Sequence, residues 1–518
     1  MSTGRTLRSL LANTLDRNPH GPALIQGGRR FSFADFGART YRMGNALLDL
    51  DLKAGDRVAI LSRNSIESAE SYFSIPNAGL VLVMLNFRLA PSEIQTILND
   101  SRPTVVMVSA EYIGQMQSIL EGAAFVKHWI FIGDPAETPH GWLHYETLID
   151  RARAHEPVVT VASEDLAALM YTSGTTGAPK GCMVAHRNFY HVGRSMALEM
   201  AMDEDDVGII PSPLFHASGE VVLMGSVFNG TPSVIMPSWD AEELMRLVER
   251  HKVTTGVLAT PMLLFFVAHP KIDCYDLSSL RRILFAGAPV TPVVFQRAIE
   301  RFGNVFAHGF GTTETAGSVS ILKPEAVRRA LDEGKTSILA SCGRSYSDMV
   351  AEVVDGDDRP VAPGEAGEIR VRGQGVTLGY WNKDAETRKS FRKGWFYTED
   401  LARLDDEGFL YVVGRKKDMI ITGGENVFPA EVENVLYRHP AVGQAAVIGT
   451  HDEIWGEAVT AVVVPKDEAS VTEDEIRSFC RHEIAGYKVP KKVFFVNSLP
   501  MSASGKLLKG KLKEQFAL

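Results

Sequence analysis

The chain has 518 residues and a formal net charge of −9. This length exceeds what one hydrophobic core normally organises, so about two to four domains are expected. The acidic balance argues against a nucleic-acid partner, which would require a basic face. The hydrophobic content of 45% is typical of a globular protein. Because no apolar stretch reaches the roughly 18 residues that a membrane helix needs, no integral membrane span is predicted.

The N-terminal residues predict a helix and no secretion signal. Leu7, Leu10, Leu11 and Leu15 recur with the 3.6-residue period of an amphipathic surface helix. A signal peptide would instead carry an uninterrupted apolar core of about 7–15 residues. A cytoplasmic location is therefore expected.

Strand-like apolar runs alternate with helical patterns such as residues 241–251. This alternation predicts layered α/β structure. The predicted strands cover residues 57–61, 80–85, 105–108, 207–210, 233–236, 255–258 and 282–285.

The run YTSGTTGAPKG at residues 171–181 is the most informative segment. Its glycines allow the backbone N–H groups to approach a ligand, its hydroxyls add donors, and Lys180 adds charge. These features predict a loop that binds a polyphosphate. The spacing differs from the P-loop pattern GxxxxGK[ST], because Ala178 and Pro179 separate Gly177 from Lys180. Apolar runs at residues 166–170 and 182–185 predict a strand on each side of the loop.

The four cysteines show no CxxC spacing, so neither a zinc site nor a disulfide framework is predicted. We expect all four to be reduced thiols in the core. They are Cys182, Cys274, Cys342 and Cys480.

The C-terminal part changes character. Residues 441–449 and 457–464 predict strands, and residues 472–484 predict a helix that begins with a capping box of Thr472 and Glu475. The charged sequence GRKKD at residues 414–418 interrupts the apolar pattern. A large layered α/β domain (1–414) and a small α+β domain (419–518), joined at residues 415–418, are therefore predicted.

With the loop at residues 171–181, five further segments follow in a recognisable order. Together they resemble the adenylate-forming superfamily, which includes acyl-CoA synthetases, firefly luciferase and peptide-synthetase adenylation domains. The resemblance covers roughly residues 6–511. The five segments are PLFHASG (213–219), HGFGTTET (308–315), YTEDLARLDDEG (397–408), GRKKDMIITGGENVFPAEVE (414–433) and PMSASGK (500–506).

The resemblance implies an acid–CoA ligase that uses ATP, Mg²⁺ and CoA. A carboxylate would attack the α-phosphate of ATP to give an acyl-adenylate and pyrophosphate, and CoA would then take the acyl group and release AMP. Twelve residues follow Lys506, with no carrier domain among them, which favours a free-standing CoA ligase. The alternatives are another acceptor (a carrier protein, an amine or luciferase-like oxidation) and a catalytically silent adenylate-binding protein. A homodimer is possible.

The resemblance also implies which residues bind the nucleotide. Glu314 would be the Mg²⁺ ligand and Thr313 would contact phosphate, whereas Asp400 and Arg415 would hold the ribose hydroxyls. The β- and γ-phosphates would contact Thr172, Ser173, Gly174, Thr175, Thr176, Gly177 and Lys180. The AMP-binding segments would be Gly287, Ala288 and Pro289, together with His308, Gly309, Phe310 and Gly311.

Further residues carry mechanistic weight in the superfamily. Lys506 would bridge the α-phosphate and the substrate carboxylate across the domain interface, and Lys417 would be the hinge. His216 would be an aromatic gate over the acyl channel, with a packed core histidine as the alternative. Glu399 stands where many relatives have glycine; it is strained if that position needs φ > 0, and otherwise its charge faces solvent.

The substrate and CoA sites are the least determined by the sequence. The candidate acyl pocket has no lysine or arginine for a second carboxylate, so an apolar monocarboxylic acid, either a medium- or long-chain fatty acid or an aryl acid, is expected. Its walls would be Phe215, Val222, Met262, Leu263, Phe266, Phe310, Ala316 and Gly317. CoA would contact Gly423, Gly424, Glu425, Tyr487 and Lys488.

Overall fold

The computed structural model describes residues 4–172, 179–288, 290, 292–466, 471–501 and 507–516. Part of the predicted site lies outside these residues, and its predicted roles have no structural account here. These positions are Ser173, Gly174, Thr175, Thr176 and Gly177 of the phosphate loop, Pro289, and Lys506.

Strands and helices alternate through the N-terminal region. The strands are β1 (Pro22–Gln26), β2 (Arg29–Ser32), β3 (Arg57–Leu61), β4 (Val81–Met84), β5 (Val105–Ser109), β6 (His128–Ile132), β7 (Leu143–His144), β8 (Leu166–Thr172) and β9 (Lys180–Ala185). The helices are α1 (Leu7–Arg17), α2 (Phe33–Asp49), α3 (Ile66–Asn77), α4 (Pro91–Ser101), α5 (Ile113–Gln117), α6 (Tyr145–Arg151) and α7 (His186–Glu199). One sheet has the order β7-β6-β5-β3-β4-β8-β9 and is parallel except for β9.

A second sheet follows in the middle of the chain. Its later strands are β10 (Gly208–Ile210), β11 (Ser233–Ile235), β12 (Thr255–Ala259), β13 (Arg282–Ala286), β14 (Phe306–Phe310), β15 (Ser320–Leu322) and β16 (Arg344–Ser345). The helices are α8 (Ala217–Asn229), α9 (Ala241–His251), α10 (Thr260–Val267), α11 (Pro292–Phe302) and α12 (Pro324–Asp332). The order is β16-β15-β14-β13-β12-β10-β11-β1-β2, so β1 and β2 join this sheet.

Two antiparallel-rich sheets complete the described part of the chain. The first contains β17 (Met349–Val354), β18 (Ala366–Gly373), β19 (Phe391–Arg392), β20 (Trp395–Leu404) and β21 (Leu410–Arg415), with α13 (Asp384–Ser390) beside it. The second contains β22 (Ile420–Thr422), β23 (Glu425–Val427), β24 (Val442–Asp452), β25 (Gly456–Pro465) and β26 (Lys492–Phe495), with α14 (Pro429–Leu436), α15 (Glu473–Glu483) and α16 (Lys509–Phe516). The chain passes from one sheet to the other through a short 3₁₀ turn, Lys416–Asp418.

Local sequence signals account for several of these elements. Helix α9 has the predicted bounds; Asp240 caps it by accepting from the Glu243 N–H, and Arg250 and His251 lie in its last turn, where their charge favours the helix dipole. Helix α15 has the predicted capping box of Thr472 and Glu475. The leucine face of α1 is buried, as its amphipathic period predicts.

Alternating residues of the second sheet pack on its two faces, because successive side chains of a strand point in opposite directions. Val257 of β12 and Leu284 of β13 share a hydrophobic cluster with residues of α8. Leu258 and Phe285, one position further along the same strands, belong to a second cluster with residues of α9, α10 and α11. Helix α8 therefore covers one face of this sheet, and the other three helices cover the opposite face.

The expectation that all four cysteines lie in the core is wrong for one of them. Cys182, Cys342 and Cys480 are buried, but Cys274 is exposed. It ends a short 3₁₀ turn, Ile272–Cys274, after α10, where the chain crosses the surface. Among the described residues, no helix is long and apolar enough to cross a bilayer.

Candidate active site

Strands β8 and β9 hold the two described ends of the predicted phosphate loop. They form an antiparallel hairpin in which Thr172 pairs with Lys180. Both residues are half-buried. The Lys180 Nζ lies 5.2 Å from the centroid of the Tyr380 ring, a favourable position for a cation over an aromatic face. The lysine is therefore held at the mouth of the hairpin.

Glu314 lies next to the same tyrosine. The Tyr380 hydroxyl donates to Glu314 Oε1 at 2.8 Å, and the Thr377 N–H donates to the Glu314 carbonyl at 3.0 Å. Burial, together with the neighbouring Glu314 carboxylate, raises the pKa of Tyr380, so the phenol stays protonated and donates. Residues 377–381 thus connect the Glu314 turn to the hairpin, where the Trp381 N–H donates to the Gly181 carbonyl.

The turn around Glu314 is a short 3₁₀ segment, Thr313–Thr315. Gly311 must be glycine, because a Cβ on it would lie 2.2 Å from the Gly317 carbonyl oxygen. Thr313 is half-buried beside Thr312, whose hydroxyl is buried and has no hydrogen-bond partner among the described residues. A buried hydroxyl that keeps its donor and acceptor capacity here suits a phosphate ligand. Thr312 was not singled out in the sequence.

His308 forms part of a wall on the adenine side of the predicted site. Its ring stacks on Phe285 with centroids 4.6 Å apart, and its Nδ1 lies 2.8 Å from the Ser341 carbonyl oxygen. Burial lowers the pKa of His308 to about 4, so the ring is neutral at pH 7. Nearby, Gly287 has φ +95°, and the Thr260 hydroxyl donates to the Ala288 carbonyl at 2.8 Å. This segment is uncharged and partly fixed by hydrogen bonds, which suits an adenine site.

The predicted ribose pair is brought together. Asp400 of β20 and Arg415 of β21 are register partners, and Arg415 Nε lies 3.0 Å from Asp400 Oδ1. Glu399, next to this pair, shows both the backbone strain and the exposed charge that the sequence left as alternatives. Its φ is +61°, which strains a non-glycine residue, and its side chain, 42% exposed, pairs with Lys389 at 3.2 Å.

His216 is the N-cap of α8. Its Nδ1 accepts from the Ser218 N–H at 3.3 Å, and the side chain is half-buried, so it is not a fully packed core histidine. The preceding Phe215 packs edge-to-face on Phe87 with centroids 5.3 Å apart. The aromatic-gate role of His216 stays a prediction.

The predicted acyl-pocket residues divide between the two faces of the second sheet. Val222 and Ala316 belong to the cluster on the α8 side, with Phe215 and Phe310 packed against it. Met262, Leu263 and Phe266 of α10 belong to the cluster on the opposite face, where Phe266 stacks on Phe302 at 5.1 Å. This separation argues against one pocket lined by all of them. Helix α10 is apolar on nearly every side, so its periodicity did not reveal which face it covers.

The predicted CoA residues lie in two places, the turn after β22 and a short 3₁₀ turn, Gly486–Lys488, after α15. Gly423, Gly424 and Glu425 are exposed, and the two glycines have φ +61° and +85°. Tyr487 is 42% exposed. Lys488 is half-buried and pairs with Glu431 at 2.6 Å, so this cation already has an internal partner. Lys417, the predicted hinge residue, is exposed within the 3₁₀ turn.

The described ranges contain no group of three or more His, Cys, Asp or Glu side chains that could hold a metal ion. Mg²⁺ does not need such a group, because it is commonly held by one or two carboxylates together with substrate phosphates and water. Glu314, with Tyr380 orienting one of its oxygens, is a suitable ligand of this kind.

A separate cavity of about 650 Å³ opens at the carboxyl ends of β3, β5 and β6. None of the predicted site residues lines it. Two of its arginines are neutralised within the protein, since Arg29 pairs with Glu67 and Arg39 with Glu146, each at 2.7 Å. We assign it no role in the predicted reaction.

Comparison with known families decides the assignment. The model of the AMP-binding enzyme family matches residues 11–381, more than half of the chain. The chain belongs to this family. The model of the AMP-binding enzyme C-terminal domain matches residues 431–506. The resemblance inferred from the ordered motifs, and the predicted arrangement of a large α/β region before a small one, are confirmed.

Individual relatives cover nearly the full chain. A feruloyl-CoA synthase of Amycolatopsis sp. is 36% identical over 500 residues, 96% of each chain. A long-chain-fatty-acid–CoA ligase of Mycobacterium tuberculosis is 34% identical over 492 residues, 94% of this chain and 93% of the relative. The solved o-succinylbenzoate CoA synthetase of Bacillus subtilis, in complex with an acyl-adenylate intermediate, superposes with a TM-score of 0.84 at 31% identity over 97% of both chains.

Proposed function

We propose that this AMP-binding enzyme is an ATP-dependent, AMP-forming ligase that joins an apolar monocarboxylic acid to CoA. The observation that carries the proposal is the meeting of Lys180, Tyr380 and Glu314, from three separate segments, at the mouth of the β8–β9 hairpin. A cation and an oriented carboxylate at the end of a hydroxyl-rich loop suit a metal-bound polyphosphate.

In the first half-reaction a carboxylate oxygen of the acid attacks the α-phosphorus, and the bond from that phosphorus to the β-phosphate oxygen breaks. Pyrophosphate leaves, and the acid becomes an acyl-adenylate. Lys180 would balance the growing charge on the leaving group, and Tyr380 would hold Glu314 in position. Mg²⁺ bound at Glu314 would add further charge stabilisation. The enzyme's contribution is positioning and electrostatics.

In the second half-reaction the thiol of CoA attacks the acyl carbonyl, its proton is lost to solvent or a base, and AMP leaves. The nucleotide has to stay in place between the two steps. Asp400 and Arg415 would hold its ribose hydroxyls, since a carboxylate accepts both O–H groups. His308 and Phe285 would keep the adenine side closed.

The proposal for the substrate names a chemical class of acid. Two of the relatives are named for a feruloyl group and for long-chain fatty acids, so both an aryl and an alkyl acid fit the family. Phe215 and Phe310 are half-buried and give a partly accessible apolar surface to the cluster on the α8 side of the second sheet, which contains Val222 and Ala316. An aryl or fatty monocarboxylic acid suits this surface. We place the reaction in the cytoplasm, where ATP and CoA are available, and a homodimer stays a prediction.

The test is a pyrophosphate-release screen over aliphatic and aryl acids with ATP and Mg²⁺, followed by mass spectrometry of the product formed with CoA. We expect acid-dependent release of pyrophosphate and, after CoA is added, stoichiometric AMP and acyl-CoA. Replacing CoA with hydroxylamine should trap the acyl-adenylate as a hydroxamate. Acid-dependent pyrophosphate without any thioester would indicate another acceptor, and no pyrophosphate with any acid would exclude the ligase.

A further inference from the structure

Glu220 is a carboxyl group enclosed in the protein. Its side chain is fully buried, and neither carboxyl oxygen has a hydrogen-bond partner among the described residues. Burial raises the pKa of Glu220 well above its ordinary value, so the group is a neutral acid with one donor and free acceptor sites. Burial removes the water that would hydrate this carboxyl, and no hydrogen bond from a described residue replaces it.

Other buried carboxylates of this chain are compensated. Glu70 accepts hydrogen bonds from Arg39 and from the Tyr145 hydroxyl. Glu199 pairs with Lys323 and accepts from the Ser347 hydroxyl at 2.7 Å. The fold thus supplies partners where a buried carboxylate is structural, and the lack of one for Glu220 among the described residues points to a partner from outside the chain.

Glu220 lies one helical turn from the predicted gate. Helix α8 begins at His216, and residues three and four positions apart share one side of a helix. Ala217 and Val221, in the same turn of α8 as Glu220, lie against Gly317 in the loop after Glu314. A Cβ placed on Gly317 would lie 3.3 Å from the Ala217 Cβ and 3.6 Å from the Val221 Cγ2. Glu220 therefore belongs to the turn of α8 that lies against the predicted acyl end of the site.

The surroundings of Glu220 are aromatic. The Tyr72 hydroxyl donates to the Leu214 carbonyl, within the PLFHASG segment, and is therefore already engaged. Burial raises the pKa of Tyr72, so this phenol also stays protonated. Phe189 packs edge-to-face on Tyr72 at 5.7 Å. A few polar groups among apolar side chains are the usual arrangement by which a ligand pocket orients its ligand.

We propose that Glu220 is a specificity-determining residue of the acyl site and hydrogen-bonds a donor group that the acid carries away from its reacting carboxylate. The donor is a hydroxyl, an N–H or an ammonium group. The inference rests on the proposed ligase function and narrows it: the substrate is a mainly apolar acid with one polar group on its tail.

Matched pairs of acids test this role. We would measure kcat/KM for pyrophosphate release with 4-hydroxycinnamate against 4-methylcinnamate, 4-hydroxybenzoate against 4-methylbenzoate, and 6-aminohexanoate against heptanoate. The unmodified enzyme should prefer the donor member of at least one pair by about tenfold or more. Glu220→Leu should abolish or reverse that preference, and Glu220→Gln, which still accepts a hydrogen bond, should keep part of it.

Thermal unfolding gives a second readout. Glu220→Leu and Glu220→Met should raise Tm, because each removes an uncompensated buried carboxyl. The matched control, Glu199→Gln, weakens a compensated carboxylate; it should lower Tm and leave the acid preference unchanged. A preference that survives Glu220→Leu or Glu220→Met in every pair, or a drop in Tm with both, would overturn the role of Glu220. Absence of pyrophosphate release with every acid would instead count against the ligase function.

Discussion

The nucleotide side and the CoA side of this enzyme differ in how far they are assembled. On the predicted nucleotide side, Tyr380 is hydrogen-bonded to Glu314, which is distant in the sequence. Asp400 of β20 pairs with Arg415 of the neighbouring strand β21. On the CoA side, Gly423, Gly424 and Glu425 are exposed. With the proposed roles, the first half-reaction would use groups already in place, and the second would need the small domain to bring its surface to the adenylate.

Contacts across the predicted hinge are few and separable. Leu401 and Val413 form a small hydrophobic cluster with Phe428. Glu431 of α14 pairs with Arg403 of β20 at 2.7 Å and with Lys488 at 2.6 Å. A small apolar contact with a partly exposed ion pair is the kind of interface that can open and re-form. These contacts hold one arrangement without making it permanent.

The largest effect is expected at Lys506, where a substitution tests whether the two half-reactions use different groups. If this lysine from the small domain serves only the adenylation step, Lys506→Ala should lower acid-dependent pyrophosphate formation by about 10³-fold, because one charge that stabilises the transition state is removed. Supplied acyl-adenylate should still be converted to acyl-CoA. Separate single-turnover assays of the two half-reactions measure this. An equal loss in both would contradict the assignment.

The hinge is tested by Lys417→Pro. Residues of a 3₁₀ turn have φ near the value that proline imposes, so proline should hold the arrangement seen in the structure. Since the CoA surface is exposed in that arrangement, the variant should form and retain acyl-adenylate and transfer it to CoA about 100-fold more slowly. Quenched-flow measurement of each step shows it. Lys417→Ala, which leaves φ free, is the control; near-normal transfer by the proline variant would mean that the domains do not use this hinge.

A smaller effect is expected at the metal side of the nucleotide site. Glu314→Gln replaces a charged oxygen ligand with a neutral one, so about tenfold more Mg²⁺ should be needed for half-maximal pyrophosphate release. Tyr380→Phe keeps the carboxylate and removes only the hydrogen bond that orients it, so its Mg²⁺ titration should shift less. Comparing the two variants separates the role of Glu314 as a metal ligand from the role of Tyr380 in orienting it. Identical titrations for Glu314→Gln and the unmodified enzyme would leave Glu314 with a structural role only.

The smallest effect concerns Glu399, beside the ribose pair. A non-glycine residue at φ +61° is strained, so Glu399→Gly should raise the free energy of unfolding by about 1 kcal/mol. Glu399→Ala removes the ion pair with Lys389 but keeps the strain, and should give no gain. Denaturant unfolding of the three proteins measures this. An equal gain in the free energy of unfolding for both variants would mean that removal of the Glu399 charge, and not relief of backbone strain, stabilises the protein.

Much of the fold could be predicted because strands and helices leave a local pattern. The bounds of α9, the capping box of α15 and the hairpin around the phosphate loop were all readable in the sequence. Tyr380 was not, since a single tyrosine in a loop has no spacing that connects it to Glu314. The side of the sheet covered by α10 was not readable either, because an all-apolar helix has no polar face to reveal its orientation.

The exposed position of Cys274 gives this enzyme a native attachment point for a fluorophore. Burial raises the pKa of Cys342 to about 12 and of Cys480 to about 11, and it raises the pKa of Cys182 well above its ordinary value, so these thiols rarely form the thiolate that reacts with a maleimide. One added cysteine on the small domain, such as Ser478→Cys in exposed α15, would complete a dye pair. Single-molecule energy transfer could then test for the predicted domain rotation during turnover without first removing the other cysteines.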